Sequence, residues 1–345
     1  MLRIGIFGAS GYTGQELLRL LLRHPEVRVD VVTSRQYKGQ PVADVFPLFV
    51  GLTDLEFSDA TPEIIAESAD LVFLALPHGT SMQFAPAFFR TGKKIIDLSA
   101  DFRLRSVDAY EQWYGKHGAA DLIREAVYGM PELYREAIGR TRFVAVPGCY
   151  PTGAILGLAP VLREHWIDTK TIIVDAKSGA SGAGREPQTA SLFCEVNGGF
   201  KAYKIGQHRH TPEMEQELGL LAGVDVTVLF TPHLAPMNRG ILSTIYATLE
   251  REVTASDLVD LYREHYERDK FVRVYKPGLF PNVSAIRGSN YCDIGLAVDK
   301  RTKRVVIVSA VDNLIKGASG AAVQCMNVMC GFPEAAGLDM VGLAP

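Results

Sequence analysis

The chain opens with an apolar strand pattern, Leu2-Arg3-Ile4-Gly5-Ile6-Phe7. It runs into Gly8-Ala9-Ser10-Gly11-Tyr12-Thr13-Gly14 and then into a helical pattern from Gln15 to Arg23. Glycines at this spacing between a strand and a helix allow a tight turn, close approach of backbone to a pyrophosphate, and close helix–strand packing. The spacing is not the strict G-x-G-x-x-G, so the strand–turn–helix setting carries the reading. Gly8, Ser10, Gly11, Tyr12, Thr13 and Gly14 are expected to hold a dinucleotide.

Apolar strands recur at Val27–Thr33, Leu71–Leu76 and Lys94–Leu98, with helical segments between them. That alternation predicts βαβ units and a parallel sheet. From about residue 150 the strands become longer and alternating, at Thr171–Ala176, Asp225–Pro232, Ile241–Glu250 and Val305–Val311. Helical segments Pro212–Leu221 and Ala255–Arg268 lie among them. The expected fold is α/β: a Rossmann-type parallel sheet over 1–147, completed by 313–345, and an α+β domain with a mixed or antiparallel sheet over 148–312.

The second strand ends in Thr33-Ser34-Arg35, where an NAD site wants an acidic residue about 20 positions past the glycines. Asp30 comes too early. The Ser34 hydroxyl and Arg35 guanidinium suit a 2′-phosphate, so NADP is the expected cofactor. Pro77-His78 ends another strand on the cofactor side of such a sheet; His78 is a ligand contact or a plain turn histidine. The stretch Lys177-Ser178-Gly179-Ala180-Ser181-Gly182-Ala183-Gly184-Arg185 is rich in backbone donors and flanked by cations. Ser178, Gly179, Ser181 and Gly182 are expected at the cofactor.

The chemistry centres on Val146-Pro147-Gly148-Cys149-Tyr150-Pro151-Thr152. A strand ends in Pro-Gly and delivers Cys149 to a helix start, where unpaired N–H groups and the positive helix pole stabilise a thiolate. Gln207-His208-Arg209-His210-Thr211-Pro212-Glu213 supplies a base just before a helix. Thr211 reads as its N-cap, and Glu213 is placed to fix an imidazole tautomer. Local sequence does not choose between His208 and His210. His-x-His lacks a third ligand, so no metal is expected. Ser99 and Arg103 offer a hydroxyl and a guanidinium to a substrate anion, with Asp101 as a partner for Arg103.

A net charge of −3 and a pI near 6.3 leave no footprint for nucleic acid or an anionic membrane. Five cysteines without C-x-x-C spacing point to a reducing compartment, with neither a disulfide framework nor a zinc site. Met1 runs straight into the first strand pattern, so no signal peptide is expected. Residues 143–162 are uncharged over a length near a membrane span of roughly 20 residues. Prolines 147, 151 and 160 break the stretch into strand, turn and buried helix. A cytoplasmic protein is expected.

On GASGYTGQELLRLL (8–21), LALPHG (74–79), DLSADFRL (97–104), VPGCYPTGA (146–154), KSGASGAGR (177–185), GQHRHTPE (206–213) and DNLIKGASG (312–320), the chain resembles the N-acetyl-γ-glutamyl-phosphate reductases of arginine biosynthesis over essentially its whole length. The resemblance implies Cys149 as nucleophile and His208 as acid/base oriented by Glu213; His210 is expected at the substrate. The resemblance returns Asn313, Lys316 and Gly317 to the cofactor site. It also implies a thioester route that takes an acyl phosphate to a semialdehyde with release of phosphate, and a homodimer or homotetramer formed through the second sheet. Aspartate-semialdehyde dehydrogenases share the thioester logic but not the GQHRHTPE context. Aminoadipyl-phosphate reductases of lysine synthesis are nearer, and a cofactor-sensing protein on the same scaffold predicts a degraded cysteine or histidine site.

Overall fold

Leu2–Phe7 forms β1, whose last four residues are buried. It is an inner strand of a parallel sheet with β2 (Val27–Thr33), β3 (Phe57–Ser58), β4 (Leu71–Leu74), β5 (Lys94–Asp97), β6 (Val127–Tyr128) and β7 (Phe143–Ala145). The computed structural model describes residues 1–344. The spatial order is β3-β2-β1-β4-β5-β7-β6, with every neighbouring pair parallel. Strand order reverses beside β1, which opens a crevice at the carboxyl ends of β1 and β4. All four residues of β4 are buried, as a sheet covered on both faces requires. Phe7, Val72, Phe88, Ile95, Phe102 and Phe143 form much of this core.

Two compact units make up the chain. Met1–Pro147 with Ala318–Asp339 carries the parallel sheet, while Gly148–Gly317 and a tail from Met340 form the second unit. The boundary corrects the sequence expectation at its C-terminal end: residues 313–317 and the tail group with the second unit, because their contacts lie there. A π turn, Ile315–Ser319, precedes helix Gly320–Cys330, which packs on helices Pro131–Arg140 and Tyr12–Leu21. Ser319 Oγ donates to the Thr13 carbonyl at 2.9 Å.

The second sheet comprises β8 (Ile172–Ser178), β9 (Lys201–Ala202), β10 (Val228–Leu234), β11 (Ile241–Thr248), β12 (Val272–Val274), β13 (Cys292–Asp299) and β14 (Arg304–Val311). Its order is β12-β13-β14-β11-β8-β10-β9. The pairs β8–β10 and β12–β13 are parallel and the others antiparallel. Burial alternates along β8 and β11, so one face is core and the other half-exposed. This is the expected mixed sheet, and the α/β class holds.

Helix Cys149–Arg163 covers the buried face, packing on β11, β13 and β14. Pro160 cannot donate to the Leu156 carbonyl four residues back. The Tyr266 hydroxyl donates to that carbonyl at 2.6 Å, and the Tyr262 hydroxyl to the next one, Gly157, at 2.5 Å. Helix Ala255–His265, which starts on a Thr254–Asp257 capping box, is thereby stapled to helix Cys149–Arg163. Among the described residues no helix is long and apolar enough to cross a membrane.

Candidate active site

In the first unit the glycine turn has the shape its sequence implies. Gly8 sits at φ +92°, and a Cβ there would meet the Ala75 carbonyl oxygen at 2.6 Å. A Cβ on Gly14 would lie 2.5 Å from the Ala9 Cα, so this glycine lets the helix close on the turn. Gly11, the residue before helix Tyr12–Leu21, faces open space, and no side chain caps the helix. Thr33 holds the turn through Gly8 N–H to its Oγ1 (3.0 Å) and Ala9 N–H to its carbonyl (2.9 Å). Ser34 Oγ donates to Ser10 Oγ at 2.9 Å. Arg35 is exposed beyond the strand end, 6.0 Å from the centre of the Phe84 ring. Asp30 lies inside β2, paired with Arg28.

Ser99 and Arg103 both lie buried among hydrogen bonds of the first unit. Ser99 is buried; its Oγ donates to Asp97 Oδ2 at 2.7 Å and accepts the Asp101 N–H at 3.0 Å. The buried Arg103 donates from Nε to the Val146 carbonyl at 2.7 Å and from Nη2 to the Leu98 carbonyl at 2.9 Å. It thus ties together the chain ends leaving β5 and β7. Asp101 accepts from Gly79 N–H, Met82 N–H and the Tyr110 hydroxyl, at 2.7, 3.0 and 2.8 Å. That network fixes the loop carrying Pro77 and His78, and His78 Nδ1 accepts the Ala100 N–H at 3.2 Å. Burial and the neighbouring Asp101 charge push the Asp97 carboxyl up to about 6.

The second unit brings Glu213 and His210 to the residue before Cys149. Cys149 begins its helix, half-buried and free of disulfide, with Gly148 as an N-cap that offers no side chain. The Glu213 carboxylate accepts the Gly148 N–H at 2.7 Å and is itself 1% exposed. Against the same residue lies the His210 ring: a Cβ on Gly148 would stand 2.5 Å from its Nε2. His208 takes a different place. Its Nδ1 accepts the His210 N–H at 3.1 Å, and its ring packs edge-on against Tyr150, Tyr203 and Phe230. Burial, aided by Lys204 and Arg209, lowers the His208 pKa to about 4, so this imidazole is neutral.

The Ser178–Gly182 loop is knotted to the turn before β11. Gly179 N–H donates to the Gly240 carbonyl and Ser181 N–H to that of Asn238. Asn313 completes the knot, accepting Gly240 N–H at 2.7 Å and donating to Ser181 Oγ at 3.0 Å. Lys316 is buried, its Nζ 5.8 Å from the centre of the Phe271 ring. Gly317 closes on Cys149. Sequence reasoning gave Tyr203 no role, yet its hydroxyl meets that of Tyr150, the residue after Cys149, at 2.9 Å.

Two family models match: "Semialdehyde dehydrogenase, NAD binding domain" over residues 3–141 and "Semialdehyde dehydrogenase, dimerisation domain" over 149–313. The chain is 56% identical to the N-acetyl-gamma-glutamyl-phosphate reductase of Geotalea daltonii and 55% to that of Desulfotalea psychrophila, in each case across the full length of both chains. The chain belongs to the N-acetyl-gamma-glutamyl-phosphate reductase family. Solved structures carry the likeness of fold further. An aspartate semialdehyde dehydrogenase II from Vibrio cholerae superposes with a TM-score of 0.75 over 96% of this chain and 98% of that one, at 17% identity. The aspartate semialdehyde dehydrogenase of Candida albicans, solved with NADP, gives 0.70 at 16% identity over 96% and 98%. The reductase family therefore shares this two-unit architecture with enzymes of remote sequence.

Proposed function

We propose that the chain reduces N-acetyl-γ-glutamyl phosphate to N-acetylglutamate 5-semialdehyde with NADPH, through a thioester on Cys149. The observation that carries the reading is the Gly148–Cys149 corner, where a helix pole, the His210 imidazole and the Glu213 carboxylate meet one backbone segment. Full-length identity of 56% to a named reductase supports the substrate.

The thiolate of Cys149 attacks the γ-acyl carbon; a C–S bond forms, and the C–O bond to phosphate breaks. A thiol suits this step because a thioester accepts hydride where a carboxylate does not. The open face at Gly11, the uncapped helix behind it and the exposed Arg35 fit a dinucleotide with a 2′-phosphate. When bound, NADPH supplies the hydride. A backbone N–H at the helix start and a protonated imidazole then stabilise the oxyanion of the thiohemiacetal. Its collapse breaks the C–S bond, returns the sulfur as thiolate and releases the aldehyde.

The acid/base role expected of His208 moves to His210. His210 lies against Gly148, whereas the His208 Nδ1 is engaged by the His210 N–H and its pKa near 4 makes it a weak base for a thiol. Glu213 holds the Gly148 peptide. Ser178, Gly179, Ser181, Gly182, Asn313, Lys316 and Gly317 remain proposed cofactor residues. The dimerisation-domain match and the half-exposed face of the second sheet support a homo-oligomer, and the five free cysteines suit the cytoplasm.

The test is NADP reduction by purified protein given N-acetylglutamate 5-semialdehyde, with and without phosphate. Reduction that needs both phosphate and the acetylated substrate supports the proposal. Reduction only with the aminoadipyl semialdehyde replaces the substrate, and phosphate-independent turnover rejects the acyl-phosphate route.

A further inference from the structure

Gly317 forms the wall behind the nucleophile: a Cβ there would stand 3.0 Å from the Cβ of Cys149 and 3.2 Å from its Cα. Asp312 sets the turn that carries Gly317. The Asp312 carbonyl accepts the Gly317 N–H at 2.9 Å, while Oδ1 accepts those of Leu314 (2.8 Å) and Ile315 (3.2 Å). Oδ2 accepts the Gly288 N–H at 2.8 Å and lies 3.3 Å from Arg239 Nε. The side chain is fully buried. A buried carboxylate with this many donors has one orientation, so it fixes whatever hangs from it.

The 285–288 turn, which supplies the Gly288 N–H, is itself braced by the tail. Leu343 N–H donates to the Arg287 carbonyl at 2.7 Å, and Arg287 Nη2 donates to the Leu343 carbonyl at 2.9 Å. Gly342 lies flat on the Ala285 carbonyl, so a Cβ on Gly342 would overlap that oxygen. Gly288 sits at φ +83°, and a Cβ there would meet Leu343 Cδ1 at 3.0 Å. A continuous path of bonds and contacts therefore runs within the second unit from the tail to Gly288, Asp312, Gly317 and Cys149.

We propose that Asp312, braced by the tail segment at Gly342 and Leu343, is the positioning residue that seats Cys149 at its helix pole. The inference rests on Cys149 being the nucleophile. Loosening the 312–317 turn frees residue 149 to leave the pole, and the thiolate loses stabilisation.

Two variants test it. Gly342→Ala expels the tail without touching the site, and Asp312→Asn keeps size while weakening the hold on Gly288 and Arg239. Iodoacetamide alkylation of Cys149 is followed against pH by peptide mass spectrometry, alongside kcat and Tm. Each variant is expected to move the alkylation midpoint to higher pH and to lower kcat by about 10- to 100-fold, the penalty for slight misplacement of a reacting group. An unmoved midpoint in the folded variants overturns the proposal even where Tm falls, because a purely structural role predicts that pattern. If Asp312→Asn does not fold, Gly342→Ala decides alone. Cys149→Ser separates the two claims: turnover that survives it removes the nucleophile reading. Turnover lost there, with an unmoved midpoint in Gly342→Ala, removes only this one.

Discussion

The imidazole of His210 occupies the space that a side chain at residue 148 would need, with Nε2 2.5 Å from an ideal Cβ on Gly148. Gly148 has φ −66° and ψ 152°, values any residue adopts, so glycine is required there by the ring and not by the backbone. Gly148→Ala is therefore expected to fold while displacing His210. We expect kcat to fall by about 100-fold with little change in Tm. Full activity in that variant would mean the imidazole has no part in the chemistry.

The two histidines should separate in their response to pH. His208 is held neutral, with its pKa lowered to about 4 chiefly by burial. His208→Gln should leave the midpoint of the acid limb of kcat/KM in place, and His210→Gln should abolish turnover. The stability effect has a definite sign. With a folded pKa below the usual 6.5, the His208 contribution is present above pH 6.5 and is lost as pH falls through 4. Chemical denaturation of His208→Gln should lose less stability than the parent over that interval.

Asp97 carries the opposite sign. Its folded pKa, raised to about 6 from 3.8 by burial and then by the Asp101 charge, means its contribution is full below pH 3.8 and lost as pH rises through 6. Asp97→Asn removes that titration. Relative to the parent, its stability should improve between pH 4 and pH 7 by up to about 3 kcal/mol, the worth of a shift of this size. A pH-independent difference in denaturation free energy would show that Asp97 does not titrate in this range.

Arg35 decides cofactor preference in the proposed reading. Its guanidinium is exposed past the end of β2, and the acidic residue nearest in sequence, Asp30, is engaged with Arg28 within the strand. Arg35→Ala should raise KM for NADPH by about 10- to 100-fold, the worth of a charge-assisted phosphate contact. KM for NADH should change little. Equal effects on both cofactors would point to a general distortion of the turn.

The parallel sheet was legible because runs such as Leu71–Leu74 are apolar at every position, and the second sheet because Ile241–Thr248 alternates. β13 was not, since Asp293 and Gly295 interrupt its pattern. The charge of Asp293 is answered by Arg273 and Tyr275, about 20 residues earlier, a pairing that exists only after folding. The helix start at Cys149 and the glycine turn were legible because local backbone chemistry defines both. Choosing between His208 and His210 was not, because the difference is which ring reaches Gly148, some 60 positions away in sequence. The hydrogen-bond partners of Ser99 and Arg103 were hidden for a related reason. A polar side chain that satisfies buried carbonyls has the same sequence signature as one that meets a substrate.

Pro160 and Tyr266 give the last prediction. The proline leaves the Leu156 carbonyl without its intrahelical donor, and the Tyr266 hydroxyl fills that vacancy at 2.6 Å inside the core. Tyr266→Phe should cost about 1–3 kcal/mol, the penalty for a buried acceptor left unpaired. Pro160→Ala restores an N–H at the position that normally serves Leu156. The double variant should therefore be more stable than the sum of the single effects predicts, a coupling that denaturation of all four proteins measures directly. Strict additivity would mean that the hydroxyl does not answer the missing donor.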